Sequence, residues 1–353
     1  MFFHHSKILQ EPLITLLFSL SLSALIVVLA YKKNWFLNHH DLEGVQKFHH
    51  HPTPHVGGLA VFFGLSLGSF LLTSDVRAVL QPILLASLPL FITGVIEDFS
   101  AKISPLWRLM AIFISIAVSF FYLNIGVYSL GFAWMDSLLS YPFISLLFTL
   151  LVVGGAVNAF NVIDGYNGLM SGYVLLALAA MAFVAYIVGD VLILQLCLLL
   201  GASILGFFLL NFPLGKIFMG DGGAYFIGFI FSMVGLLFAS RHAEISNWFV
   251  LSLLMYPMYE LLFSIYRRKF IQGTLASQPD AYHLHTLIYN IIVVRNPDGD
   301  KVLNNSKTSP YLWLLSLTSI IPAMFWYDNK IALIALVCGF MLVYTLIYRF
   351  IKL

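Results

Sequence analysis

Leu13-Ile-Thr-Leu-Leu-Phe-Ser-Leu-Ser-Leu-Ser-Ala-Leu-Ile-Val-Val-Leu-Ala-Tyr31, followed at once by Lys32 and Lys33, decides what kind of molecule this chain is. The run is apolar over roughly 20 residues, the length a helix needs to cross a hydrocarbon core about 30 Å thick. No small-residue cleavage site follows it, so it reads as a retained first helix rather than an export signal. The two lysines hold its C-terminal end in the cytoplasm and leave the N-terminus outside.

The same criterion, applied outward from this run, gives about 11 spans. They cover 12–31, 56–73, 78–96, 105–124, 141–160, 168–188, 190–211, 223–239, 248–266, 310–327 and 331–350. Gly126 to Met135 is apolar but too short to cross, and reads as a dip into the interface. The expected fold is therefore an all-α, polytopic transmembrane helix bundle. No repeat or flexible linker divides it, so residues 1–353 form one domain with polar loops at 32–55, 97–104, 161–167, 212–222 and 267–309.

Composition agrees. The chain is 60% hydrophobic and 10% charged, against about 25% charged in a soluble domain. A net charge of +2 gives no field for nucleic acid. Cys197 and Cys338 lie in apolar runs, make no metal-ligand spacing, and read as buried apolar thiols. Of the 18 Lys and Arg residues, only Lys7, Arg77, Arg241 and Lys330 fall on the outer side of this topology. That bias supports an N-out, C-in orientation. The unusual polar residues also lie on the inner side, where chemistry is expected.

Five inner segments carry them. In Gln46-Lys-Phe-His-His-His-Pro-Thr-Pro-His-Val-Gly-Gly58, Pro52 and Pro54 enforce an extended turn, and the two glycines permit close backbone approach. Its consecutive histidines point in different directions, which argues against a shared metal. Glu97 and Asp98 end a span, where ionised carboxylates are functional candidates; the bland alternative is a solvated pair balanced by Lys102. Asn158, Asn161 and Asp164 recur every third residue on one helix face, and Gly165 is expected to end that helix in a left-handed cap. Turn chemistry alone would explain some of these side chains, but not Asn158, Asn161, Asp164 and Asn167 together between two spans. In Phe218-Met-Gly-Asp-Gly-Gly223, Asp221 opens an apolar helix whose backbone N–H groups could face a phosphate. Asp221 could equally be a plain N-cap. His283 and His285, alternating in an extended stretch, point the same way, whereas Arg267-Arg-Lys269 reads as a topology anchor.

In order and spacing these segments resemble the polyprenyl-phosphate N-acetylhexosamine-1-phosphate transferases, relatives of lipid I synthase. The resemblance runs from Lys47 to Tyr289. It rests on Pro52-Thr-Pro, Gly57-Gly58, the acidic pair, Asn161-x-x-Asp164-Gly, Phe218-Met-Gly-Asp221 and His283-x-His285. The chain departs from the family pattern at Gln46 (usually Arg), Glu97 (usually Asp) and Thr286 (usually a third His).

The resemblance implies transfer of a sugar-1-phosphate from a UDP-N-acetylhexosamine to polyprenyl (undecaprenyl) phosphate, releasing UMP. It further implies Mg²⁺, replaceable by Mn²⁺, with Asp221 and Asp98 as metal ligands. Asp98, Glu97 and Asp221 would be the catalytic acids. Lys47, Thr53, Lys102, Asn158, Asn161, Asp164, Asn167, His283 and His285 would bind substrate. The setting would be the bacterial inner membrane, with a cytoplasmic site feeding an O-antigen-like glycan. Oligomeric state stays open, a homodimer included. The alternative class is a multi-span transporter, which would place its polar residues near the bilayer midplane rather than at helix ends.

Overall fold

A computed structural model of the chain describes residues 2–33, 35, 53–100, 102–273, 282–296 and 299–352. Among the described residues there are only helices: α1 (Phe2–Lys33), α2 (Gly57–Leu71), α3 (Ser74–Ser100), α4 (Pro105–Leu123), α5 (Ala133–Leu139), α6 (Pro142–Ile163), α7 (Leu169–Ile187), α8 (Val191–Asn211), α9 (Gly220–Arg241), α10 (Asn247–Leu253), α11 (Met255–Tyr266), α12 (Leu284–Arg295), α13 (Lys301–Phe325) and α14 (Lys330–Lys352). Eight are long and apolar enough to cross a membrane, nine if the bent pair α10–α11 is one span. The all-α polytopic class holds.

Four expected segments differ. The expected span 248–266 is broken by a 74° bend. Pro257 sits in the first turn of α11, and without an N–H it cannot continue the hydrogen-bond ladder back into α10. α2 has 15 residues, enough for about 22 Å at the helical rise. α13 begins nine residues before the expected 310, with the polar stretch Lys301-Val-Leu-Asn-Asn-Ser-Lys307. The described residues of 267–309 are largely helical rather than loop: a π-helical turn (Arg267–Gln272) extends α11, and α12 follows. Arg267 is buried there, donating to the Tyr282 carbonyl and the Tyr348 hydroxyl; it is a brace between α11 and α14 as well as a charge in the topology count. Both cysteines are free, Cys197 buried as expected but Cys338 exposed on α14.

α9 is the axis of the bundle, buried almost continuously from Gly222 to Phe238. α2, α3 and α6 pack around it. Without a hydrophobic gain between helices in lipid, close backbone approach at small residues supplies the packing energy. A Cβ on Gly58 would collide with the Gly223 backbone, and one on Gly94 would lie 2.5 Å from Gly222 Cα. One turn deeper, Phe62 and Phe91 stack with centroids 4.2 Å apart, with Phe226 edge-on at 5.2 Å.

The chain's reversals sort to two ends. At one end, Asp190 opens α8 and binds Arg241 Nε and His242 Nε2, each at 2.7 Å. The same end holds the 124–132 loop through Asn247 and Trp248. The other end gathers the C-termini of α3 and α6 with the N-termini of α4 and α9.

Candidate functional site

The start of α9 is built by backbone before any side chain acts. The extended stretch after Pro52 lies beside the approach to α9. Phe218 N–H donates to Pro54 O (2.9 Å), Gly57 N–H to Phe218 O (2.8 Å) and Gly58 N–H to Met219 O (2.8 Å). Gly220 then turns at φ +81°, a conformation glycine adopts without strain. A Cβ there would meet His55 O and lie 2.6 Å from Asp98 Oδ2.

The first N–H groups of α9 lack intrahelical partners. Asp98, from the end of α3, supplies acceptors: Oδ1 to Asp221 N at 2.6 Å and Oδ2 to Gly222 N at 3.2 Å. The expectation that these amides face a phosphate is corrected, because a carboxylate from the same chain already occupies them. Hydrogen bonds of this kind contribute about 0.5–1.5 kcal/mol each. Asp221 is not the cap of its own helix either, since its carboxylate points elsewhere.

Asp221 Oδ1 accepts from Asn161 Nδ2 at 2.9 Å, and Oδ2 pairs with Arg108 Nη1 at 3.2 Å. Arg108 also faces Glu97 Oε1 at 3.8 Å, while Glu97 Oε2 takes the Ile103 amide at 2.7 Å. The Asp221 side chain keeps 30% of its surface exposed, so it is held from two sides and open on a third. A pair this exposed is worth about 0–1 kcal/mol; it orients more than it stabilises. Arg108 is the residue the sequence concealed. Its signal is a cation in the first turn after the acidic pair, which the topology count absorbed.

Asp164 follows α6, three residues beyond Asn161. Burial first, then the charges of Asp221 and Asp98, holds its carboxyl well above the usual range. The three aspartates therefore share one electrostatic environment although they come from α3, α9 and the α6–α7 turn. The left-handed glycine of that turn is Gly168 (φ +73°), and Gly165 is not left-handed. Gly168 is fixed there because its N–H donates to Asn211 Oδ1 at 2.6 Å.

The remaining candidates divide. His283 and His285 stack with centroids 4.9 Å apart, both buried, and His285 Nε2 would lie 3.9 Å from a Cβ on Gly165. They thus border the Asp164 turn. Thr53 is buried next to the Pro54–Phe218 pairing. Lys102 is exposed. Asn158 donates to Gly154 O of its own helix at 2.8 Å. Asn167 is turned into α13, where it meets Asn305, Ser306 and Ser309. Lys47 and the histidines at 49–51 lie outside the described residues.

Among the described residues, no three His, Cys, Asp or Glu side chains make a ready metal cage. A cation held mainly by substrate oxygens needs only one or two carboxylates. The hard oxygen donors of Asp221, with Asp98 and Asp164 close by, fit that kind of binding.

Comparison with known proteins covers the segment that carries this geometry. Residues 80–239 match the model of glycosyl transferase family 4. The chain is 31% identical over 253 residues, covering 69% of it and 68% of the relative, to a probable undecaprenyl-phosphate N-acetylglucosaminyl 1-phosphate transferase of Bacillus subtilis. It is 30% identical over 257 residues (70% and 68%) to an undecaprenyl-phosphate alpha-N-acetylglucosaminyl 1-phosphate transferase of Yersinia pestis. It is 29% identical over 278 residues (68% and 66%) to a decaprenyl-phosphate N-acetylglucosaminephosphotransferase of Mycobacterium tuberculosis. The matched stretch contains Asp98, Arg108, Asn161, Asp164 and Asp221, and the chain belongs to glycosyl transferase family 4.

Proposed function

We propose that this chain transfers an N-acetylhexosamine-1-phosphate from a UDP-sugar to polyprenyl phosphate, releasing UMP at the cytoplasmic face of a bacterial inner membrane and so initiating a surface glycan. The observation that carries this is the convergence of Asp98, Arg108, Asn161 and Asp221 at one end of the bundle. The three relatives, all named as polyprenyl-phosphate N-acetylglucosamine-phosphate transferases, support the same chemistry.

A phosphate oxygen of the lipid attacks the sugar-side phosphorus of the donor. The bond to UMP breaks, and UMP leaves with the electron pair. No strong base is required, because the second pKa of a phosphate monoester is about 6. The work is positioning and neutralising charge. Asp221 is the side chain to hold Mg²⁺, which when bound screens donor diphosphate from acceptor phosphate. Asp98 fixes the backbone from which Asp221 projects, and Asn161 and Arg108 aim its carboxylate. Asp164 and the His283–His285 pair flank the donor. A transporter would hold its polar groups at mid-membrane, whereas these cluster at helix ends.

The test is purified protein in detergent with a panel of UDP-N-acetylhexosamines and undecaprenyl phosphate, the lipid product being identified by mass. A lipid-diphosphate sugar with UMP is expected. Absence of that product across the panel refutes the assignment.

A further inference from the structure

We propose that Glu260 is a positioning residue for transfer, fixing the protonation and placement of the His283–His285 pair beside the Asp164 turn. This rests on the transferase function proposed above. Glu260 is an acid within the bent span, 1% exposed. Acids inside membrane spans are costly and are kept where they are paired. Here Oε1 accepts the Leu284 amide at 3.1 Å and faces His283 Nδ1 at 2.9 Å, and Oε2 accepts the Tyr344 hydroxyl at 2.8 Å. One carboxylate thus ties α11 to α14 and to the first turn of α12.

The contacts run in one direction. A carboxylate on Nδ1 makes that nitrogen the protonated one. His283 lies parallel to His285, at 11° between ring planes. His285 packs on Tyr166, 5.2 Å between centroids, and reaches the backbone beside Asp164. Glu260 therefore controls, through His283, the tautomer and ring placement offered next to the site without itself reaching it. Among the described residues, Tyr344 from α14, Tyr256 from α11, Tyr166 and Asp164 from the α6–α7 turn, and Tyr289 on α12 are ionisable groups near the pair. Arg267, bonded to the Tyr282 carbonyl, and Lys352, over the Tyr282 ring, are cations on the same side.

Glu260→Gln keeps the shape and removes the charge. The first measurement needs no substrate: ¹⁵N imidazole NMR of the detergent-solubilised chain, His283 being assigned with His283→Gln. In wild type, His283 should carry a proton on Nδ1, the nitrogen that faces Glu260. In Glu260→Gln the tautomer with the proton on Nε2 should appear beside it. The same ¹⁵N signals in the two proteins overturn the pairing.

The second measurement is kcat against donor KM. Glu260→Gln should lower kcat more than it changes donor KM, and Glu260→Asp should return kcat towards wild type. The double variant with His283→Gln should lose no more than His283→Gln alone. Full kcat in Glu260→Gln, or additive losses in the double variant, overturns the positioning role. A wild-type chain that makes no lipid product overturns the transferase function and this role with it, while the NMR signals still decide the pairing.

Discussion

Asp98 and Asp221, 123 residues apart in sequence, are joined by a hydrogen bond of 2.6 Å from the backbone amide of the second to the carboxylate of the first. The two acids are therefore not equivalent. Asp98 holds the ground on which Asp221 stands. Asp98→Asn leaves one α9 amide facing an NH₂ group and should lower stability by about 1–2 kcal/mol along with activity. Asp221→Asn should abolish transfer with a stability change below about 1 kcal/mol. Thermal unfolding in detergent, run beside the transfer assay, separates the two; equal melting losses would contradict the division.

Arg108 orients Asp221 across a partly exposed contact. Arg108→Gln should reduce kcat by about 10²-fold, the scale of a misplaced catalytic group. Its melting temperature should stay near wild type. Arg108→Lys keeps the charge but loses the planar fork, and should recover only part of the rate. Wild-type turnover in Arg108→Gln would remove Arg108 from the site.

The proposed role of Asp221 as the Mg²⁺ ligand gives a prediction of its own. EDTA should stop transfer and added Mg²⁺ should restore it. The Mg²⁺ concentration for half-maximal rate should be unchanged in Glu260→Gln. Full activity after exhaustive chelation would show that Arg108 and the histidines neutralise the phosphates unaided.

Helix contact at the axis gives a paired prediction. Gly94→Ala puts a methyl against Gly222 Cα and should cost about 1–3 kcal/mol as overpacking, with loss of activity as α9 shifts. Gly339→Ala, on α14 with open space around it, should be neutral or stabilising by about 0.4–1 kcal/mol. Melting curves of the two variants read this directly.

At the opposite end, burial opposes ionisation of Asp190, but hydrogen bonds from Arg241, the Ile193 amide and His242 outweigh it and hold the carboxyl below its usual range. The folded form therefore binds its proton less readily than the unfolded chain. The stabilisation is complete above the unfolded value, about 3.9, and is lost as pH falls through the lowered one. Asp190→Asn should flatten the acid end of a plot of melting temperature against pH.

Much of this was legible in sequence. Runs such as Leu13–Tyr31 announced helices by length alone, and the Asp98, Asn161 and Asp221 segments stood out as polar ends of apolar stretches. The links between them were not legible, because no local spacing encodes a bond between residues 98 and 221. Arg108 was hidden by a second, equally valid use for a cation at a helix end. Gly165 and Gly168 are both able to take a positive φ, and only Asn211, 43 residues away from Gly168, selects between them. Glu260 carried a signal, a single acid inside the span 248–266, but its partners lie on α12 and α14. The bend at Pro257 was present in the sequence as a helix breaker that the apolar run around it masked.

The backbone pairing of Pro54, Gly57 and Gly58 with Phe218 and Met219 contrasts with the side-chain tether that holds His283 to Glu260. The main-chain bonds ask only for the space that glycine leaves at 57 and 58, whereas the tether depends on the identity of Glu260 and Tyr344. One side of the site is thus clasped by backbone alone, and the other hangs from a single carboxylate on a different helix, where one substitution is enough to loosen it.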